Sequence, residues 1–150
     1  MSIHKATEVA KWFLAYNRIA AAEEGAEFIS NLKLQKLLYY AQGCSLAVAD
    51  TPLFGDDIVA WLHGPVVECV YHEYKSNGAN GIVFEDDFDF SKFSPEENEL
   101  LQEVYDTFGQ YSAWKLRNMT HNETPWCSTR QNARISTEVI KQYFKQEYLA

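Results

Sequence analysis

The sequence predicts a mainly α fold with a small β-sheet (α+β). It should form one compact domain over residues 1–150, with about six helices and two or three short strands. Three observations lead there. Apolar side chains recur at helical spacing in several windows, as at Val9, Trp12, Phe13 and Tyr16. One stretch, 57–67, switches to the alternating period of a strand. Helix start and stop residues fall between the periodic windows, most clearly at Ser94-Pro95-Glu96-Glu97.

In chain order, the first helix should start near residue 5 and run to the alanines at 20–22, with Gly25 free to take the left-handed conformation that closes a helix. The second follows Ser30 or Asn31 as cap. It carries Leu34, Leu37, Leu38 and Ala41 on one face, and it ends before Pro52. In 57–67, Ile58, Ala60 and Leu62 share one strand face, and Val59, Trp61 and His63 the other. Gly64-Pro65 should break that strand, with Pro65 opening a third helix that carries Val66, Val67, Val70, Tyr71 and Tyr74. Residues 76–81 read as a loop. Residues 82–90 read as a short strand or two that could pair with 58–62. Ser94 starts the next helix, with Pro95 in its first turn and Glu97 reaching back to the cap, and Gly109 ends it. Ser112 caps a short helix, and the last begins near Ser136 or Thr137 with Val139, Ile140, Tyr143 and Phe144 inward. No internal repeat or low-complexity segment is present.

Composition narrows the function classes. Apolar residues make up 47% and aromatics 15%, too much core material for a disordered chain. Thirteen Lys and Arg against 21 Asp and Glu give a net charge of −8, so this chain alone is not expected to bind nucleic acid. The acid gathers at 23–27 and 85–90, either a solvated face or a docking surface for a basic partner. Cys44, Cys69 and Cys127 are odd in number and form no CxxC pair, which suits a reducing compartment and gives no zinc ribbon. The N-terminus lacks signal-peptide pattern, and no stretch approaches the roughly 18 apolar residues of a membrane span. A soluble, cytoplasmic protein without membrane contact is expected.

Several clusters could carry chemistry. In Thr120-His121-Asn122-Glu123-Thr124-Pro125-Trp126, His121 and Glu123 imitate half of a zinc deaminase motif, but the paired cysteines are missing. His121 with Cys127 could be a base and nucleophile, yet nothing marks the thiol as activated. A joint between two helices is the simpler reading, with Pro125 directing Trp126 into the core. His63, Glu68 and His72 could make an open metal site or be scattered surface polars. Trp12, Trp61, Trp114, Tyr39 and Tyr40 could stack bases, but no basic residues lie between them and core packing is expected. No P-loop, dinucleotide-binding glycine pattern or serine elbow occurs.

Taken in order, the segments 32–43 (LKLQKLLYYAQG), 60–67 (AWLHGPVV), 70–78 (VYHEYKSNG), 120–126 (THNETPW) and 135–144 (ISTEVIKQYF) resemble the Panacea-domain, SocA-like antitoxins, also called phage-associated proteins. The resemblance spans nearly the whole chain. It implies an antitoxin of a bacterial or prophage toxin–antitoxin pair that neutralises a cognate toxin by direct binding. It also implies an alternative, an adaptor that delivers the toxin to a ClpXP-type protease. No cofactor or metal and no catalytic residue is implied. A small metal-dependent enzyme using His63, Glu68 and His72, or His121, is the competing class. Of the residues matching the family motifs, Lys36, Tyr39, His63 and His121 are the polar ones expected at a partner surface. Leu34, Leu37, Tyr40, Trp61, Gly64, Pro65, Val66, Tyr71, Pro125 and Trp126 are expected to be structural.

Overall fold

A computed structural model describes residues 3–149. The described residues form α1 (Ala6–Glu24), α2 (Asn31–Ala49), a hairpin of β1 (Val59–Trp61) and β2 (Gly64–Val66), α3 (Glu68–Tyr74), α4 (Pro95–Phe108), α5 (Ala113–His121), α6 (Thr124–Cys127) and α7 (Thr137–Tyr148). A mainly α fold with a small antiparallel sheet is therefore what the sequence expectation meets. None of the described helices is long and apolar enough to cross a membrane.

α2 is the axis of the domain. Leu34, Leu37, Leu38, Tyr39, Tyr40 and Ala41 are all buried, so the helix is covered on every side, as a central core helix must be. α1, α3, α4, α5, α7 and β2 all pack on it. α7 packs tightly over Gly43: a methyl group there would overlap the Phe144 ring. Ser30 caps α2 by accepting from Lys33 N–H. Polar side chains of the core fasten loops to this frame. Gln42 accepts from Leu53 N–H and Phe54 N–H and donates to Phe54 O, while Gln35 accepts from Val67 N–H. Asn17 holds the connection after α1 by accepting from Ile29 N–H and donating to Glu27 O. In α4 the expected cap is complete, with Ser94 and Glu97 bonding reciprocally and Pro95 in the first turn.

Two stretches differ from the expectation. Residues 57–67 make a hairpin of two strands, with Ala60 opposite Pro65 and Trp61 opposite Gly64. Pro65 therefore sits in β2 and does not open α3, which begins at Glu68. A two-stranded hairpin leaves edges where a proline without N–H is tolerated. Gly64, at φ 113°, takes the strained position after the Leu62-His63 turn. Second, residues 82–90 form no strand. The Arg18 guanidinium donates to Phe84 O and Asp86 O, replacing a ladder there. The edge of β1 away from β2 is met instead by the segment before α7: Ala60 N–H donates to Ala133 O, and Ile135 N–H to Ile58 O.

Replacing Gly43 by Ala should lower stability by about 1–3 kcal/mol through overpacking against Phe144, read as a Tm several degrees lower in a thermal melt. An unchanged Tm would mean that α7 does not sit where described.

Candidate functional site

The family-like segments meet at one place. Lys36, Tyr39 and Tyr40 lie at i, i+3 and i+4 on α2, hence on one face, and that face meets the α5–α6 joint and the hairpin. Glu123 is the residue immediately before α6 and is buried, its side chain making no bond to the helix's first-turn amides. Its carboxylate accepts from the hydroxyls of Tyr39 at 2.9 Å, Tyr40 at 3.0 Å and Tyr148 at 2.5 Å. Burial pushes the Glu123 carboxyl above the usual carboxylate range, while the three hydroxyl donors oppose that rise. Burial, then the neighbouring carboxylate, holds the Tyr39 and Tyr40 phenols well above the ordinary value, so both stay protonated donors.

One turn earlier, Lys36 is fully buried and donates to Pro65 O at 3.1 Å. Burial, helped by the Arg117 charge, lowers its ammonium to about 7. Gly64 packs directly over it. A Cβ there would stand 2.7 Å from Lys36 Cε and 2.9 Å from Thr120 Oγ1. At the joint, the His121 ring stacks on Trp126 with centroids 4.0 Å apart, and Trp126 Nε1 donates to Trp61 O at 2.8 Å. His121 Nε2 is buried and has no hydrogen-bond partner among the described residues. Burial and the Arg117 charge push the imidazole below its ordinary value, so the neutral ring is favoured. The Cys127 thiol donates to the His121 carbonyl oxygen, a backbone contact that does not engage the imidazole.

On the outside of this joint lies an exposed face. The hairpin turn presents Leu62, 58% exposed, and α5 presents Trp114, 57% exposed. Arg117 covers the Trp114 ring at 4.3 Å and donates from Nε to His63 Nδ1 at 3.3 Å. Trp114 departs from the expected core packing for a geometric reason. α5 buries Leu116 and Thr120, four apart, and position 114 lies two residues before Leu116, on the opposite side.

The residues singled out from sequence thus divide by depth. Lys36 and Tyr39 are wholly inside, His121 is half-buried against Trp126, and His63 is exposed. Leu34, Leu37, Tyr40, Gly64, Pro65, Val66 and Pro125 are buried, and Trp61, Tyr71 and Trp126 are half-buried. Among the described residues no three His, Cys, Asp or Glu side chains come together in a way that could hold a metal, and this includes His63, Glu68 and His72. Sequence reasoning missed Glu123 as the acceptor of three phenols and Trp114 as a surface residue. For Trp114 the signal was present: its neighbours two and six positions on are the inward ones.

Two substitutions test this arrangement. Glu123→Ala leaves at least two buried phenols without an acceptor and should cost about 3–5 kcal/mol, measured by urea unfolding. A loss under about 1 kcal/mol would contradict the bonding described. Lys36 sets a pH trend. Its folded value, about 7, is below that of the unfolded chain, so between about 7 and 10.5 the unfolded chain holds a proton the folded one releases. Lys36's penalty is full below that window and fades as pH rises through it. Lys36→Met should therefore flatten the rise of stability with pH between 7 and 10, and an identical slope in both proteins would refute the assignment.

The sequence profile described as "Antitoxin SocA-like, Panacea domain" matches residues 34–127, the stretch that holds Lys36, Tyr39, Tyr40, the hairpin and Glu123. The chain is 30% identical over 136 residues to Antitoxin SocA of Caulobacter vibrioides (strain NA1000 / CB15N), covering 78% of this chain and 72% of that relative. No solved structure matches the chain significantly. By the profile and by this relative alike, the chain belongs to the SocA-like, Panacea-domain antitoxin family.

Proposed function

We propose that the chain is the antitoxin of a bacterial or prophage toxin–antitoxin pair. It neutralises a cognate toxin in the cytoplasm by direct, stoichiometric binding, without chemistry by its own side chains. Family membership supports the antitoxin role. The observation that supports binding as the mechanism is the exposed face of Leu62, His63, Trp114 and Arg117. An aromatic ring and a guanidinium stacked together on a surface are the side chains that most often anchor protein interfaces. His63 would touch the toxin directly. Lys36, Tyr39 and His121 would act from beneath, by fixing the hairpin and α5 that carry the face.

The test is growth of cells expressing the open reading frame adjacent to this gene. That neighbour alone should arrest growth, and this chain should restore it. Trp114→Ala combined with Leu62→Asp should abolish the rescue while the purified variant keeps its Tm within a few degrees, because both side chains are exposed. A harmless neighbour, or full rescue by the double variant, would overturn the proposal. If rescue requires a ClpXP-type protease and toxin half-life lengthens in its absence, delivery to the protease replaces neutralisation by occlusion.

A further inference from the structure

A groove of about 690 Å³ runs beside α4, between that helix, the end of α2 and the end of α7. Its lining includes both Glu96, in the first turn of α4, and Phe108, at its last residue, so it extends along the whole helix. Fourteen helical residues span about 21 Å. Over that length the volume corresponds to a cross-section of about 30 Å², the width of a row of side chains and not of a whole helix. The floor is apolar, with Leu53, Leu100, Val104 and Phe108. At its edges Ile3, Val48, Tyr148 and Leu149 are each between 39% and 64% exposed, large apolar side chains left facing water together.

The charge around the groove has one sign. Among the described residues, the charged side chains that line it are Glu96, Glu97, Glu99 and Glu103, with no lysine or arginine. Glu97 is engaged by His4 and by the Ser94 amide. Glu96, Glu99 and Glu103 are exposed and make no ion pair among the described residues. Lys141 and Lys145 stand near the end of α2 but both face Asp50.

From this pairing of an apolar floor with an unneutralised acidic wall, we infer that the groove binds an amphipathic helix of a protein partner. The helix carries apolar side chains at i, i+3 or i+4 and i+7, flanked by Lys or Arg. The apolar row fills the floor, in the manner of other helix-in-groove contacts, and the basic flank meets Glu96, Glu99 and Glu103. A fatty acid would set its carboxylate against those same glutamates. The surface is separate from the Leu62–Trp114 face, being built from α2, α4 and α7, and the inference holds whether or not the partner is a toxin.

The probe is a fluorescein-labelled helical peptide of about 14 residues, with Leu at i, i+3, i+4 and i+7 and Lys elsewhere. It is titrated with the full chain by fluorescence anisotropy. Binding should saturate, and the same peptide with Glu in place of Lys should not bind. Glu99→Lys with Glu103→Lys, and separately Val48→Arg, should each weaken binding about tenfold or more. Glu85→Lys with Asp87→Lys changes the net charge equally but lies outside the groove, and should leave affinity within about twofold. Thermal melts confirm that each variant is folded. Absence of saturable binding overturns the inference, as does equal weakening by the two double reversals, which would reduce the contact to net charge alone.

Discussion

Three phenols, Tyr39 and Tyr40 from α2 and Tyr148 from α7, donate to the one carboxylate of Glu123. Their convergence fixes what lies around it. α6 is four residues long, far too short to persist on its own hydrogen bonds. It is held because Glu123, the residue just before it, is tied to the central helix and to the last helix at once. Trp126 follows three positions later and reaches Trp61 O on the hairpin, while its ring supports His121. The hairpin, the joint and the end of α5 are therefore one unit. A buried carboxylate is tolerated only when its lone pairs are satisfied, and here three hydroxyls do that without a buried positive partner.

Much of this architecture is written in local sequence. The stripes of α1, α2, α4 and α7 and the caps at Ser30, Ser94, Ser112 and Ser136 are matters of spacing and side-chain length. What the sequence hides is set at long range. The β-branched run at 82–90 has strand composition, but Arg18, more than sixty residues earlier, takes the carbonyls at 84 and 86. Pro65 looks like a helix start until Ala60 pairs opposite it. At the candidate site, the motif residues are visible as a pattern, yet their depth is not. Lys36 and Tyr39 are polar and lie in a family motif, and only the packing of Gly64 and α5 over Lys36, and of Phe144 and Glu123 against Tyr39, puts them out of reach of a partner. The acceptor of the tyrosines, 84 and 83 positions away from them, leaves no trace in local composition.

The titratable side chains inside the domain are held toward their uncharged forms by burial. Burial raises the Cys44 thiol to about 12 and lowers the Lys36 ammonium to about 7. What faces outward is suited to recognition: a tryptophan stacked with an arginine on one side, and an apolar groove walled by glutamates on another. Buried polar order beneath, with aromatic and acidic surfaces above, is how a small domain presents preorganised faces at low entropic cost to binding.

Stoichiometry separates recognition from chemistry most directly. When the purified product of the adjacent open reading frame is titrated with this chain, its toxic activity should fall linearly and reach zero near one chain per toxin, with a complex of the same ratio by light scattering. Complete loss of toxin activity at a small fraction of an equivalent, with each chain acting on many toxin molecules, would contradict the account.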